Sequence, residues 1–178
     1  MKATGIVRRI DDLGRVVIPK EIRRTMRIRE GDPLEIYTDN DGEVIFKKYS
    51  PIGELSSFAG QYAEVLYKTS GFPVVVCDRD HVIAVSGVPK KEILERRVSP
   101  QLEEVMELRK SYQVSEGARL QPVEGVSRYA AVAAPIISSG DVAGSILLLE
   151  SEEGKQVTET EIKLIQAGAS FLGKQMEE

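Results

Sequence analysis

The sequence predicts a two-domain chain: a small, mostly-β unit over residues 1–52 and a larger α+β unit with an antiparallel sheet over residues 53–178. Three observations point there. Short β-branched runs separated by Asp/Gly turns fill the N-terminal quarter. Longer apolar runs alternating with helical patterns fill the rest. Charge is divided the same way: residues 1–29 hold nine basic groups against three acidic ones, a net of +6, which leaves −10 on the other 149 residues and −4 overall.

In the first unit, "GIVRRI" (5–10) and "RVVI" (15–18) read as strands, and "DDLG" (11–14) between them as a tight turn. Pro19 suits a first helical position. In "PKEIRRTMRI", Lys20, Arg23, Arg24 and Arg27 fall at i, i+3, i+4 and i+7, one stripe of a helix, with Ile22 and Met26 on the buried side. Like charges at that spacing repel, so the stripe makes more sense facing an anion. "GDPLEIY" (31–37) brings a third strand with Leu34 and Ile36 on one face, "DNDG" (39–42) a second turn, and "EVIFKK" (43–48) a fourth strand. A unit of about 50 residues buries only a modest fraction of its surface. The expected remedy is pairing of two copies with shared strands, which makes folding and dimerisation one event.

"SPIG" (50–53) marks the boundary. Beyond it, "ELSSFAGQYAEVLYKTS" (54–70) places Leu55, Phe58, Ala59, Tyr62, Val65 and Leu66 at helical spacing. "FPVVVCD" (72–78) and "HVIAVSG" (81–87) read as strands, "KKEILERR" (90–97) and "SPQLEEVMELRKS" (99–111) as helical, and "RYAAVAAPI" (128–136) and "VAGSILLLE" (142–150) as two further strands. A capping box, Thr158 and Glu161, opens a closing helix. That helix shows Ile162, Ile165, Ala169, Leu172 and Met176 along one line and Leu164, Gly168 and Phe171 along another. One line packs on the sheet. The other, with the stripe of Leu55, Phe58, Tyr62, Val65 and Leu66, is expected to pair with helices of another subunit.

Several functions are excluded by what the sequence lacks. No apolar run approaches the ~20 residues that span a bilayer, and the N-terminus has no signal-length apolar core, so a cytoplasmic protein is expected. A single cysteine, Cys77, leaves neither an intramolecular disulfide nor a CxxC site. Phosphate-binding loops, nucleophile elbows and metal-ligand clusters are missing, so the reading is no enzyme, no metal and no cofactor. Cys77 reads as a core residue, and His81, at a turn, as solvated or capping. Lys90, Lys91, Arg96 and Arg97 admit two readings: a solvated helix face, or the border of a pocket for an anionic metabolite.

Residues 4–49, through "LGRVVIP", "EIRRT" and "DPLEIY", resemble the AbrB-type swapped-hairpin DNA-binding domain of bacterial transition-state regulators. The resemblance implies an interleaved dimer that presents arginines to double-stranded DNA. By matching position, Arg8, Arg15, Arg23 and Arg24 carry over as DNA contacts, flanked by Arg9 and Lys2; Lys20 and Arg27 join them from the helical stripe. Residues 131–176 resemble a GAF sensor domain, in which a P-I-x-x-x-G-x-x-x-G hairpin precedes the last helix. The two in this order resemble regulators of the sporulation, forespore type that both activate and repress transcription. With the helix pairing expected above, the assembly expected is a homotetramer, dimeric through the first unit and tetrameric through the GAF-like one, and the GAF resemblance leaves room for an unidentified small-molecule ligand. The alternative is an antitoxin-like autoregulator of a toxin–antitoxin operon. An antitoxin ends in a flexible toxin-wrapping tail, whereas residues 53–178 are patterned for a core.

Overall fold

The computed structural model describes residues 4–115 and 118–177, and the chain divides into two compact units between Tyr49 and Ser50. The first holds a short helix, α1 (Lys20–Thr25), and an antiparallel hairpin, β1 (Leu34–Thr38) and β2 (Val44–Lys48), in the register Leu34↔Lys48, Ile36↔Phe46 and Thr38↔Val44. Among the described residues of this unit, the expected strands 5–10 and 15–18 form no ladder. Neither segment finds a strand partner among the described residues. Much of the apolar surface here is exposed: Val7 86%, Ile10 71%, Val17 71% and Ile36 64%. A unit left this way has its burial unfinished.

The second unit begins at Ser50 because Pro51–Glu54 is a helical turn, α2, capped by the Ser50 hydroxyl, which accepts from the Gly53 amide at 3.1 Å. Its Ile52 is fully buried in the second core, which is why the division precedes the boundary read from "SPIG". α3 (Ser56–Ser70) comes next, then β3 (Val74–Asp78), β4 (Val82–Ser86), α4 (Lys90–Ile93), α5 (Pro100–Glu107), β5 (Tyr112–Gln113), β6 (Ala130–Ser138), β7 (Asp141–Leu149) and α6 (Glu159–Gln175). The five strands form one antiparallel sheet in the order β4-β3-β7-β6-β5.

Both faces of the sheet are covered, so its strands are apolar on both sides. Val74, Val76, Ala134, Ile146 and Leu148 pack against Ala59, Ala63 and Leu66 of α3 and Ile165, Ala169 and Leu172 of α6. The alternate residues Val75, Cys77, Ala133, Leu147 and Leu149 meet Ile93, Leu102 and Met106 on the opposite face. The P-I-x-x-x-G-x-x-x-G pattern has a physical reason here. Gly140 turns the β6–β7 hairpin at φ +85°, and a Cβ on Gly144 would stand 2.0 Å from the Cys77 carbonyl oxygen on the neighbouring strand.

Three expectations for this unit need correction. "KKEILERR" is not one helix: α4 stops at Ile93, and Glu95–Arg97 run back along β4, with Glu95 N–H donating to Val82 O and Val82 N–H to Arg96 O, both at 2.9 Å. The open edge of β4 recruits these residues in place of a second helical turn. Leu66 (3% exposed) and Gly168 are not surface residues awaiting another subunit; both lie in the core, with the Tyr62 ring over Gly168. Phe58 and Tyr62 already meet Phe171 within the chain, ring centroids 5.9 and 5.5 Å apart. Leu55 and Leu164 are half-buried, which leaves Val65 (59%) and Phe171 (43%) as the exposed members of the expected contact.

Candidate nucleic-acid interface

One local device in the first unit positions a basic residue directly. Asp11 closes a tight tip: its amide donates to Arg15 O at 3.0 Å, and its Oδ1 accepts from the amides of Leu13 (3.0 Å) and Arg15 (2.8 Å). Gly14, at φ +74°, donates back to Asp11 O. The second turn repeats the scheme. Asp39 Oδ1 accepts from Asp41 and Glu43 amides at 3.1 and 2.8 Å, Asp39 N–H donates to Glu43 O, and Gly42 sits at φ +82°. The same four-residue solution, Asp-x-x-Gly, appears twice because an Asp side chain mimics the backbone two residues on while Gly accepts the left-handed angle. At the second tip the arms pair as β1 and β2; at the first they do not.

Asp11 does one thing more. Its Oδ2 accepts from Arg15 Nε at 2.8 Å, so the arginine is aimed by the turn that precedes it. The amide and guanidinium of Arg15 hold the Asp11 carboxyl below the usual carboxylate range. Both side chains are open to solvent, so the pair contributes little stability of its own and leaves Arg15 free to exchange partners.

Arg8, Arg9, Arg15, Lys20, Arg23 and Arg24 are all exposed. Arg23 is steadied by donating Nε–H to Ile18 O at 3.2 Å. Lys2 lies outside the described residues. Arg27 departs from the expected stripe. α1 ends at Thr25, and Arg27 sits beyond it at φ +52°, half-buried. Ile28 N–H donates to Arg23 O (2.8 Å) and Arg27 N–H to Arg24 O (3.3 Å), the paired bonds of a helix stop in which the left-handed position is usually glycine. The stripe is therefore Lys20, Arg23 and Arg24. Met26, expected on the buried side, is 54% exposed, while Ile22 is half-buried. An ion pair of these arginines with Asp11 is the plain alternative the sequence offers to DNA contact; what it does not reveal is that the same carboxylate closes the tip and takes the Arg15 guanidinium.

Elsewhere in the chain the described residues show no group of three or more His, Cys, Asp or Glu able to hold a metal, and no helix among them is long and apolar enough to cross a membrane. Cys77 is fully buried, and burial pushes its thiol far above the ordinary value, which leaves it unreactive. His81 is exposed at the β3–β4 turn, its amide donating to Asp78 Oδ1 at 2.7 Å.

Residues 54–177 match the family described as stage V sporulation protein T C-terminal, transcription factor. Over its full length the chain is 52% identical to stage V sporulation protein T of Bacillus subtilis, covering all of both sequences. The chain belongs to the stage V sporulation protein T family. Residues 7–53 match a second family, antidote-toxin recognition MazE, bacterial antitoxin. The transition state regulatory protein AbrB of Bacillus subtilis is 65% identical over 51 residues, 29% of this chain and 52% of that protein. For the second unit, the GAF domain of an Acinetobacter phosphoenolpyruvate-protein phosphotransferase superposes with a TM-score of 0.54 at 9% identity, over 68% of this chain and 81% of that one. The stage V sporulation protein T family thus joins an AbrB-like unit to a GAF fold, as the sequence predicts. The antitoxin match ends at residue 53, and the second unit is a full three-layer domain rather than a tail.

Proposed function

We propose that this member of the stage V sporulation protein T family is a sporulation-type transcription regulator, activating some promoters and repressing others, that binds double-stranded DNA through the arginines of its first unit. The observation that carries the reading is the N-terminal segment itself: Arg8, Arg9 and Arg15 stand among exposed apolar residues on two segments that form no ladder among the described residues. Pairing with a second copy would bury Val7, Ile10 and Val17 and set two copies of each arginine on one surface. A symmetric dimer of this kind suits a DNA site of matching symmetry. Contact through guanidinium groups to phosphates makes affinity strongly salt-dependent, with sequence preference resting on DNA shape.

In this reading the GAF-like unit adds a second subunit contact, through Val65, Phe171 and the half-buried Phe58, Tyr62, Leu55 and Leu164. The resulting tetramer has two DNA-binding heads, whose linkage raises avidity without new contacts. The unit also senses a small molecule, works in the cytoplasm and carries no catalysis.

The test is fluorescence anisotropy of the full-length protein on a labelled duplex across a salt series. Arg8→Ala, Arg15→Ala, Arg23→Ala and Arg24→Ala are each expected to cost about 1–3 kcal/mol and to lower the salt slope. Three of the four binding as wild type does at every salt concentration would remove the assignment.

A further inference from the structure

We propose that the groove between α3 and β4 binds a small organic carboxylate with a short apolar body. The groove, of about 640 Å³, has the size of a small-molecule site. It is lined by the apolar Ile83, Val88 and Leu94 and by the polar Ser57, Ser86 and Gln61. Three observations go beyond shape.

The first is Gly60. A glycine inside a helix is destabilising by about 0.5–1 kcal/mol relative to alanine, and a Cβ here would meet nothing within 4 Å. Packing inside this chain gives no reason for it. Gly60 lines the groove, and any larger side chain would stand in that space. The second is Gly87. Gly87, at φ +88°, allows the turn after β4 to pass so close to the Tyr67 ring that a Cβ would lie 2.6 Å from it. That contact seats the Tyr67 ring, which lines the groove.

The third is charge. Residues 50–178 carry 13 basic and 19 acidic groups, a net of −6. In this acidic unit the groove gathers two ammonium groups, Lys68 from α3 and Lys90 from α4, around one carboxylate. Glu64 accepts from Lys68 Nζ at 2.6 Å and is held below its usual range by Lys68 first and then by Lys90. Two cations and one carboxylate leave one positive charge to neutralise in a groove that also has apolar lining. A monocarboxylate with a short branched chain meets both requirements. The inference deepens the sensing role proposed above, yet it can be measured without DNA.

The experiment is saturation-transfer NMR of 4-methylpentanoate with the full-length protein, using the neutral 4-methylpentanamide as the control. The acid is expected to bind at least tenfold more tightly than the amide. Lys68→Gln with Lys90→Gln, both surface changes, is expected to abolish that difference. Gly60→Leu is expected to lose both ligands while its melting profile and oligomeric state stay those of wild type. No binding at millimolar concentrations, equal binding of acid and amide, or full binding to Gly60→Leu would each overturn the proposal. So would a lower oligomeric state in Gly60→Leu, which would give the groove to a subunit contact. Binding of the acid with unchanged DNA affinity upholds the site and overturns the sensing role alone.

Discussion

Arg27 holds a backbone conformation that costs an L-residue roughly 1–2 kcal/mol, at the position where most helices place glycine. Its side chain is half-buried and off the exposed face of α1, unlike those of Arg23 and Arg24. Stability and DNA affinity should therefore separate at this residue. Arg27→Gly relieves the strain but adds unfolded-state freedom, so a net gain of about 0.5–1 kcal/mol is expected, with DNA affinity close to wild type. Amide exchange of Lys20–Met26 measures the first and anisotropy the second. A large loss of affinity with no gain in protection would return Arg27 to the contact surface. The sequence did not reveal this stop because its usual sign, glycine, first appears at Gly31, so the helical stripe ran on one turn too far.

At the scale of elements, α6 begins with the reciprocal cap that the sequence predicts: Thr160 N–H donates to Thr158 Oγ1 at 3.3 Å, and Thr158 N–H donates to Glu161 Oε2 at 2.8 Å. The Thr158 hydroxyl first, then its amide, lower the Glu161 carboxyl from its ordinary value of 4.5. A carboxyl lowered on folding adds stability above that ordinary value and loses it as pH falls through the folded one. Thr158→Ala should cost about 0.5–2 kcal/mol at neutral pH, and the gap to wild type should narrow in melts taken below about pH 4.5. A gap constant with pH would show that the carboxylate plays no part. The box was legible because it is local. So were α3, α6 and the long strands, each with a periodic or continuous apolar signal over many residues. The segment 90–97 was not, because its composition is helical while an open sheet edge, invisible in sequence, claims its second half. Two-residue β5 is too short to carry a period at all. In the candidate interface, clustered charge marked the arginines, while the role of Asp11 depended on three hydrogen bonds that only the folded tip brings together.

For the whole molecule, the surface of the second unit that stays open on α3 and α6 is narrower than their stripes imply, centred on Val65 and Phe171. Phe171→Glu should leave the sheet core intact, since Ile165, Ala169 and Leu172 hold α6 on their own line. Light scattering is expected to show the oligomer reduced by one step, with weaker DNA binding through lost avidity. An unchanged oligomer in a folded variant would rule this contact out. Assembly at the other end has an order in time. The Asp11 tip needs only residues adjacent in sequence, and loops of that size close in about 10–100 ns, long before two chains meet. If the first unit pairs as proposed, each arm pair reaches the encounter already folded back on itself, and a second-order phase of refolding is expected to report pairing alone. In stopped-flow experiments its rate should rise in proportion to protein concentration, and Asp11→Ala should slow it at every concentration, because two chains would then have to form the bend while they are still finding each other.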